Sequence, residues 1–268
     1  MEIAGKNIVV TGAASGIGRA LARRFAADGA RGVVFADLDQ AKIDGALPEG
    51  VENVLGVACD VSDPGANEDL IAAASEAFGP VDIFCANAGI GVGMGLDTPD
   101  DVWEKVMGVN THAHVYAARL LVPGWVERGE GYFVSTASAA GLLSVIGDAS
   151  YALSKHAAVG FAEWLSITYG DQGVRVSCLC PMGVQTPLLE AGLEAEGEGR
   201  AGVAITVTAG TVLSPDDVAA AVVEGIAAER FLILPHPEVH HMLKGKVADH
   251  DNWLAAMRHI RASVVDTR

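Results

Sequence analysis

The 268-residue sequence predicts a single α/β domain in which helices cover both faces of a parallel sheet of about seven strands. Short apolar runs alternate with longer helical stretches along almost the whole chain. Because the runs are continuously apolar, they are typical of strands buried on both faces. Repeated strand–helix–strand units favour right-handed crossovers and a doubly wound sheet. The predicted strands are 7–12, 32–37, 54–61, 81–89, 131–138, 174–181 and 231–235.

The helical candidates lie between these runs, at 16–28, 67–78, 101–127, 151–169 and 215–228. No linker or internal repeat divides the chain, so we treat residues 1–268 as one domain. Residues 187–212 are rich in Gly, Ala and Glu, and we expect a mobile lid or a substrate loop. Residues 236–268 form a C-terminal extension. Its histidines lack a companion carboxylate or cysteine set, so we expect structural or subunit contacts and no metal.

The composition argues against several classes of partner. The 18 basic and 34 acidic residues give a formal charge of −16, which repels phosphate backbones and anionic lipids. We therefore expect neither nucleic acid nor a membrane as partner. No stretch reaches the roughly 20 apolar residues that cross a bilayer, and the N-terminus has no leader pattern, so we expect a cytoplasmic protein. The four cysteines lie in apolar runs, which indicates reduced, buried side chains.

Three glycines mark the turn after the first strand. Gly12, Gly16 and Gly18 end that strand and open a helix, an arrangement that lets backbone amides approach a pyrophosphate. Asp37 ends the second strand about 20 residues later, where a carboxylate accepts hydrogen bonds from a ribose and repels a 2′-phosphate. The sequence thus predicts a Rossmann-like dinucleotide site that takes NAD rather than NADP. The alternatives are a merely tight turn and, for Asp37, a helix N-cap.

A tyrosine and a lysine share one face of the apolar helix predicted at 151–169. Tyr151 and Lys155 are four residues apart, so the ammonium favours the phenolate electrostatically. We expect this effect, aided by the positive charge of oxidised nicotinamide, to lower the pKa of the phenol from about 10 towards neutrality. A structural Tyr–Lys pair would be the default interpretation of an isolated helix.

Six motifs occur along the chain in a fixed order. They are "TGAASGIG" (11–18), "ANAG" (86–89), "MGVN" (107–110), "STASAAG" (135–141), "YALSK" (151–155) and "PMGVQT" (181–186). With these motifs the chain resembles the short-chain dehydrogenase/reductases of the compact, single-domain type. The resemblance implies an oxidoreductase that transfers hydride reversibly between NAD and the carbinol carbon of a secondary alcohol, giving the ketone.

The resemblance also assigns residues. Tyr151 would be the general acid and base, Lys155 its activator, and Ser138 the group that orients the substrate oxygen, with Ser135 and Thr136 as weaker choices. Asn110 would help hold a water on a proton path. The implied cofactor contacts are Gly12, Ser15, Gly16, Ile17, Gly18, Asp37, Asp60, Val61, Asn87, Ala88, Gly89, Tyr151, Lys155, Pro181, Val184 and Thr186. The expected substrate contacts are Ser138, Leu142, Tyr151, Met182, Gly183 and Leu188.

Within that set, Asp60 and Val61 would meet the adenine ring, and Thr186 the carboxamide. Two positions depart from the family pattern. Ala86 replaces an Asn, which we expect to be tolerated, and Met182 stands where a Gly is usual. Met182 would either contact the nicotinamide or substrate, or fill the core.

The segments 89–95, 142–147 and 182–184 and the lid near Leu188 and Leu189 are apolar, which predicts an alcohol or ketone with a hydrophobic portion. The alternative is an amine-bearing substrate attracted by Glu190, Glu194, Glu196 and Glu198, although such a run is more often a solvated loop face.

Helix 151–169 and the stretch 114–126 are apolar nearly all round, which indicates a homo-oligomer, a dimer or a tetramer. Two alternatives stay open. One is a non-catalytic NAD-binding redox sensor or regulator on the same fold. The other is an epimerase or dehydratase, which would usually need a separate substrate domain.

Overall fold

The computed structural model describes residues 1–265 and contains, within them, one seven-stranded parallel sheet flanked by helices. This confirms the predicted fold class and places every strand within a predicted run. The strand order is β3-β2-β1-β4-β5-β6-β7. The strands are β1 (Asn7–Thr11), β2 (Gly32–Asp37), β3 (Val54–Ala58), β4 (Ile83–Ala86), β5 (Gly131–Thr136), β6 (Val174–Leu179) and β7 (Leu232–Ile233).

The helices are α1 (Gly16–Ala27), α2 (Gln40–Ala46), α3 (Pro64–Phe78), α4 (Asp100–Met107), α5 (Ala113–Arg128), α6 (Ala140–Leu143), α7 (Ala149–Tyr169), α8 (Pro187–Glu194), α9 (Gly197–Thr208), α10 (Pro215–Ala227), α11 (Pro237–Ala248) and α12 (His250–Val265). None of the described helices is long and apolar enough to cross a membrane.

The strand order reverses between β1 and β4, while all the strands stay parallel. From β1 the chain builds outward through β2 and β3, then returns to pair β4 with the other side of β1. Such a switch point opens a crevice beyond the carboxyl ends of the two strands. The glycine turn follows β1 and the Asn87–Gly89 segment follows β4, so both predicted cofactor motifs meet at this crevice.

Both faces of the sheet are buried, as the continuous apolar runs predict. Adjacent residues of a strand point to opposite faces, and accordingly Tyr132 and Phe133 belong to different core clusters. Trp125 packs on one face and Phe25 on the other, and both are fully buried. The four cysteines are also free and buried, as expected.

The predicted helix 101–127 is interrupted. Residues Gly108–His112 form one π-helical turn between α4 and α5. Such turns are frequent at functional sites because they displace a side chain from the regular helical position. Here the turn carries Asn110, whose side chain reaches the loop after β4.

The expectation of a mobile loop at 187–212 is wrong in its local structure, because most of this segment is helical, in α8 and α9. We predicted a loop from the glycine content, yet the glycines serve packing. A Cβ on Gly202 would overlap the carbonyl oxygen of Ile146, and one on Gly199 would overlap that of Gly93. Glycine lets α9 lie directly on the backbone of two neighbouring loops.

The C-terminal extension packs onto the lid and onto α6. Arg261 of α12 pairs with Glu198 of α9, and Lys246 of α11 donates to the carbonyl of Leu142, 2.6 Å away. The buried imidazole of His236 accepts from the Met182 amide at 3.1 Å and lies 3.0 Å from the Gly183 oxygen. His236 is therefore structural, as expected for these histidines. The final residues of the predicted extension, 266–268, lie outside the described part of the chain.

Candidate active site

The turn after β1 has the shape of an anion cradle. Gly12 and Gly16 have positive φ angles of 68° and 52°, and a Cβ on Gly12 would lie 2.9 Å from the Cα of Ala88. A Cβ on Gly18 would overlap the oxygen of Gly12. Ser15, the N-cap of α1, is extended and its side chain makes no capping bond, so the first helical amides stay available to a ligand. The cradle fits a pyrophosphate.

Asp37 lies at the edge of that cradle. Its carboxylate accepts from the amide of Ala14 at 3.0 Å and from that of Leu38 at 2.8 Å. The N-cap alternative for Asp37 is wrong, because Asp39 caps α2 through bonds from the amides of Ala41 and Lys42. The carboxylate of Asp37 is thus held beside the glycine turn and serves no helix.

The segment after β4 is fastened to β1 by Thr11, a residue that the sequence analysis did not single out. Its hydroxyl accepts from the amides of Asn87 and Ala88, at 2.9 and 3.0 Å, and its carbonyl accepts from the Asn87 side chain. The only sequence signal for this role of Thr11 was its position directly before Gly12. Asn87 and Ala88 therefore support the crevice wall, and Gly89 follows them.

The two residues predicted to meet the adenine ring differ in their surroundings. Asp60 is exposed, and its carboxylate accepts from the amide and hydroxyl of Ser62. Val61 is buried and lies near Thr11 and Ala88 around a small cavity. These contacts leave the adenine assignment a prediction.

Lys155 lies where α7 meets the ends of β4 and β5. Its side chain is 2% exposed, and its Nζ donates to the Thr136 carbonyl at 3.0 Å. A Cβ on Gly89 would lie 3.2 Å from Nζ, so glycine is what lets the ammonium reach the crevice. The same Nζ is 5.6 Å from the centroid of the half-buried Tyr151 ring, as expected for two residues on one helical face.

Burial dominates the electrostatics of this pair. Burial lowers the pKa of Lys155 to about 8. Burial raises the pKa of Tyr151, hydrogen bonding from Ser138 partly offsets this, and the charge of Asp148 raises it further. In the cofactor-free chain, the loss of water around the phenolate thus outweighs the hydrogen bond from Ser138, and the pKa of Tyr151 shifts upward. The expected lowering included the positive charge of bound nicotinamide and stays a prediction.

Of the three hydroxyl candidates, Ser138 faces Tyr151. Its oxygen accepts from the amide of Ala140 at 3.1 Å and lies 3.5 Å from the Pro181 carbonyl oxygen. Ser135 instead bonds the buried imidazole of His114 at 3.0 Å. Position favours Ser138 over both Ser135 and Thr136.

Asn110 holds the loop after β4 next to Lys155. Its Oδ1 accepts from the Ile90 amide and its Nδ2 donates to the Ile90 carbonyl, both at 2.8 Å. Nδ2 also donates to the Ser154 hydroxyl at 3.0 Å. A Cβ on Gly89 would lie 3.4 Å from Oδ1, so Asn110 borders the crevice.

The segment after β6 approaches the glycine turn through Thr186. The Thr186 hydroxyl caps α8 by accepting from the Leu189 amide, and the Cγ2 methyl would contact a Cβ on Gly16 at 3.0 Å. Val184 is buried and bridges to Leu213, and the carbonyl of Pro181 accepts from Ala139 at 2.8 Å. Ser15 and Ile17 sit on the turn itself, exposed and half-buried respectively.

The predicted substrate contacts are only partly brought together. Leu142 and Met182 both pack against the small cluster of Ala139, Leu143 and Val239, next to Ser138 in sequence and in space. Gly183 is buried and held by His236. Leu188 lies in the first turn of α8 and is 43% exposed, so its place in a substrate pocket stays a prediction.

Sequence reasoning missed Asp148, the N-cap of α7. Its carboxylate accepts from the amides of Tyr151, Val92 and Gly93. An Asp just before an apolar helix was the available signal for the cap. The contacts with Val92 and Gly93 join distant parts of the chain and left no local signal. Among residues 1–265, no group of three His, Cys, Asp or Glu side chains is arranged to hold a metal.

Known proteins share this architecture. The family model described as short chain dehydrogenase matches residues 6–197. The chain is 37% identical over 257 residues to 1-deoxy-11-beta-hydroxypentalenate dehydrogenase of Streptomyces exfoliatus, covering 93% of this chain and 90% of that protein. It is 35% identical to 3beta-hydroxysteroid dehydrogenase 2 of Eggerthella lenta, covering 82% and 86%.

A solved structure gives the same result at the level of the fold. The short chain dehydrogenase/reductase of Burkholderia phymatum, crystallised with NAD, superposes with a TM-score of 0.82 at 34% identity, covering 94% of this chain and 96% of that one. The match of sequence, fold and crevice leads to one conclusion. The chain belongs to the short-chain dehydrogenase family of oxidoreductases.

Proposed function

We propose that Tyr151 is the general acid and base of this enzyme, and that its reaction is the NAD-dependent interconversion of a secondary alcohol and a ketone. The reaction class, alcohol–ketone interconversion with a nicotinamide cofactor, is that of the family. The single observation that carries the assignment is the convergence of Tyr151, Lys155 and Ser138 on one crevice, beside the glycine cradle.

In oxidation, the Tyr151 phenolate takes the hydroxyl proton of the substrate, and in reduction the phenol returns it. Ser138 orients the substrate oxygen by hydrogen bonding. The nicotinamide cofactor, when bound, supplies the hydride acceptor or donor. Its pyrophosphate would be held at Gly12–Gly18 and its adenosine ribose by Asp37, with the other cofactor contacts as predicted from the family.

Lys155 supports the phenolate and exchanges protons. Its pKa of about 8 keeps both protonation states accessible near neutral pH. Its buried Nζ donates to Thr136 and has further protons to share with a substrate or a cofactor hydroxyl. Asn110 fixes the Ile90 segment beside it, and its part in a water-mediated proton path stays a family-based proposal.

NAD rather than NADP is the proposed cofactor. Asp37 stands at the end of β2 with its carboxylate beside the cradle, where it would repel a 2′-phosphate. The residues that follow it, Leu38 and Asp39, are not basic. The presence of NAD in the Burkholderia structure supports this choice.

The proposed substrate is a secondary alcohol with a bulky apolar body. Leu142 and Met182 supply apolar surface near Ser138, and α9 covers the loops at Gly93 and Ile146. Relatives named for a hydroxypentalenate and a 3beta-hydroxysteroid support this size and polarity. The lid role of 187–212 is part of the same proposal.

The test is a panel of cyclic and acyclic secondary alcohols and ketones, assayed by NADH absorbance with wild type, Tyr151→Phe and Tyr169→Phe. Tyr169 lies at the other end of α7 and serves as the matched control. We expect Tyr151→Phe to lose about 99% or more of kcat, a loss in the range typical of a general acid or base, while NAD affinity stays within about twofold. Residual activity above a few per cent would contradict the role of Tyr151.

The alternatives lack support. No observation favours a non-catalytic sensor, which has no need of a phenol beside a buried ammonium. An epimerase or dehydratase would need a substrate domain, and residues 1–265 form one sheet-centred unit.

We also propose a homo-oligomer, a dimer or tetramer, because Trp164 and Ile167 of α7 are 51% and 84% exposed. Light scattering at micromolar concentration tests it, and a monomer would contradict it.

A cytoplasmic location and the lack of nucleic-acid or membrane partners remain predictions from the acidic composition.

A further inference from the structure

Asp148 makes more contacts than a helix cap needs. Its Oδ1 accepts from the Tyr151 amide and the Ser150 hydroxyl, both at 2.9 Å. Its Oδ2 accepts from the amides of Val92 and Gly93, at 2.8 and 2.7 Å. The residue is 9% exposed. One buried carboxylate thus joins the first turn of α7 to a loop more than fifty residues away.

Other capping aspartates in this chain behave differently. Asp39 and Asp63 are both exposed, and each accepts from amides of its own helix through a single oxygen. Neither reaches a distant backbone amide. The second set of bonds at Asp148 is therefore additional to capping.

The loop that Asp148 holds borders the proposed site on two sides. A Cβ on Gly91 would lie 3.3 Å from the Tyr151 ring and 3.5 Å from Asp148 Oδ2. A Cβ on Gly93, which has a φ of +66°, would lie 3.2 Å from the Cα of Gly199 in α9. Through this loop, Asp148 connects the tyrosine helix with the lid.

We propose that Asp148 is a positioning residue that holds the 91–93 loop against Tyr151. The proposal rests on the proposed function, since it concerns the base of that reaction. Asp148 contacts neither substrate nor cofactor in this scheme and acts through Tyr151 and the loop.

The charges around Tyr151 set the sign of the effect that Asp148 has on the pH at which the phenol releases its proton. Lys155 lies on the same helix and Cys180 follows β6, while Asp148 stands at the N-terminus of α7. Glu198 of α9 and His156 of α7 border the groove on the outer side of Asp148, and Glu198 is paired with Arg261. Because the carboxylate is negative, it opposes the phenolate, and its removal should favour proton release at lower pH.

Two substitutions separate positioning from capping. In Asp148→Asn, one oxygen can still cap the Tyr151 amide, but the amide nitrogen is a donor and cannot accept from Val92 or Gly93. In Asp148→Ser, the hydroxyl still caps α7 and cannot reach the loop. Ser150→Ala is the matched control, because it removes one partner of Asp148 and leaves the loop bonds intact.

The experiment measures amide hydrogen exchange at Val92 and Gly93 in the cofactor-free chain, together with pH profiles of kcat/KM for alcohol oxidation. We expect exchange at both amides to rise tenfold or more in Asp148→Asn and Asp148→Ser, as for loss of one hydrogen bond of about 1.4 kcal/mol. Ser150→Ala should exchange like wild type.

We further expect KM for the alcohol to rise and the rising limb of the profile to move about 0.5 to 1 pH unit lower in both Asp148 variants. Wild-type exchange at Val92 and Gly93, or an unmoved limb in both variants, would overturn the proposal. If wild type oxidises no alcohol, the proposed function fails, whereas the exchange measurement still decides whether Asp148 holds the loop.

Discussion

The packing of the lid helix gives a prediction that can be worked from the structure. Gly202 is buried in α9, and a Cβ at this position would overlap the carbonyl oxygen of Ile146. That oxygen belongs to the backbone and cannot rotate away. Gly202→Ala should therefore force α9 off the 145–147 loop.

The size of the effect follows from the cost of overpacking, which is about 1–3 kcal/mol. If that cost destabilises the packing of α9 against the 145–147 loop, KM for the alcohol should rise by a factor of about 5 to 150. NAD affinity should stay unchanged, because the cradle at Gly12–Gly18 belongs to β1 and α1. Steady-state kinetics with the best alcohol of the panel, together with NAD titration, measures both quantities.

Gly45→Ala is the matched control. Gly45 lies in α2, and a Cβ there would have no neighbour within 4 Å. Alanine at such a helical site should stabilise the fold by about 0.5–1 kcal/mol and leave KM alone. If Gly202→Ala and Gly45→Ala show the same KM, α9 does not cover the substrate and the lid interpretation is refuted.

Two further predictions concern cofactor choice and acid stability. Asp37→Asn keeps an acceptor for the Ala14 amide and removes the negative charge. The ratio of kcat/KM for NADP to kcat/KM for NAD should therefore rise about tenfold or more. An unchanged ratio, or an equal change in the control variant Asp39→Asn at the cap of α2, would discredit the assignment. Burial lowers the pKa of His114 to about 3 from 6.5, so the folded state resists protonation. Stability should be full above pH 6.5 and fall as the pH drops towards 3, by roughly 5 kcal/mol in total. His114→Gln should flatten that fall in urea titrations at several pH values, and an equally steep fall would contradict this origin.

Most of the architecture could be predicted from sequence because its signals are local. A buried parallel strand is a continuous apolar run, and a glycine turn between strand and helix is readable in eight residues. The spacing of Tyr151 and Lys155 fixes their common helical face without further information. These features carried both the fold class and the central pair of the site.

The features that escaped prediction depend on distant contacts. Glycine content suggested a mobile loop at 187–212, whereas Gly199 and Gly202 permit backbone contact with loops far away in sequence. The bonds from Asp148 to Val92 and Gly93 join the N-terminus of α7 to a loop more than fifty residues earlier in the chain, and no local pattern indicates such a contact. The direction of the pKa shift at Tyr151 depends on how much water the fold removes, which residue spacing alone does not determine.

The measurement that tests the central claim most directly is a crystal structure of the chain with bound NAD. We predict the nicotinamide ring beside the Tyr151 hydroxyl and Lys155 Nζ, with the pyrophosphate on the amides of the Gly12–Gly18 turn. A nicotinamide ring bound elsewhere, or a Tyr151 hydroxyl turned away from it, would contradict the assignment of Tyr151 as the acid and base.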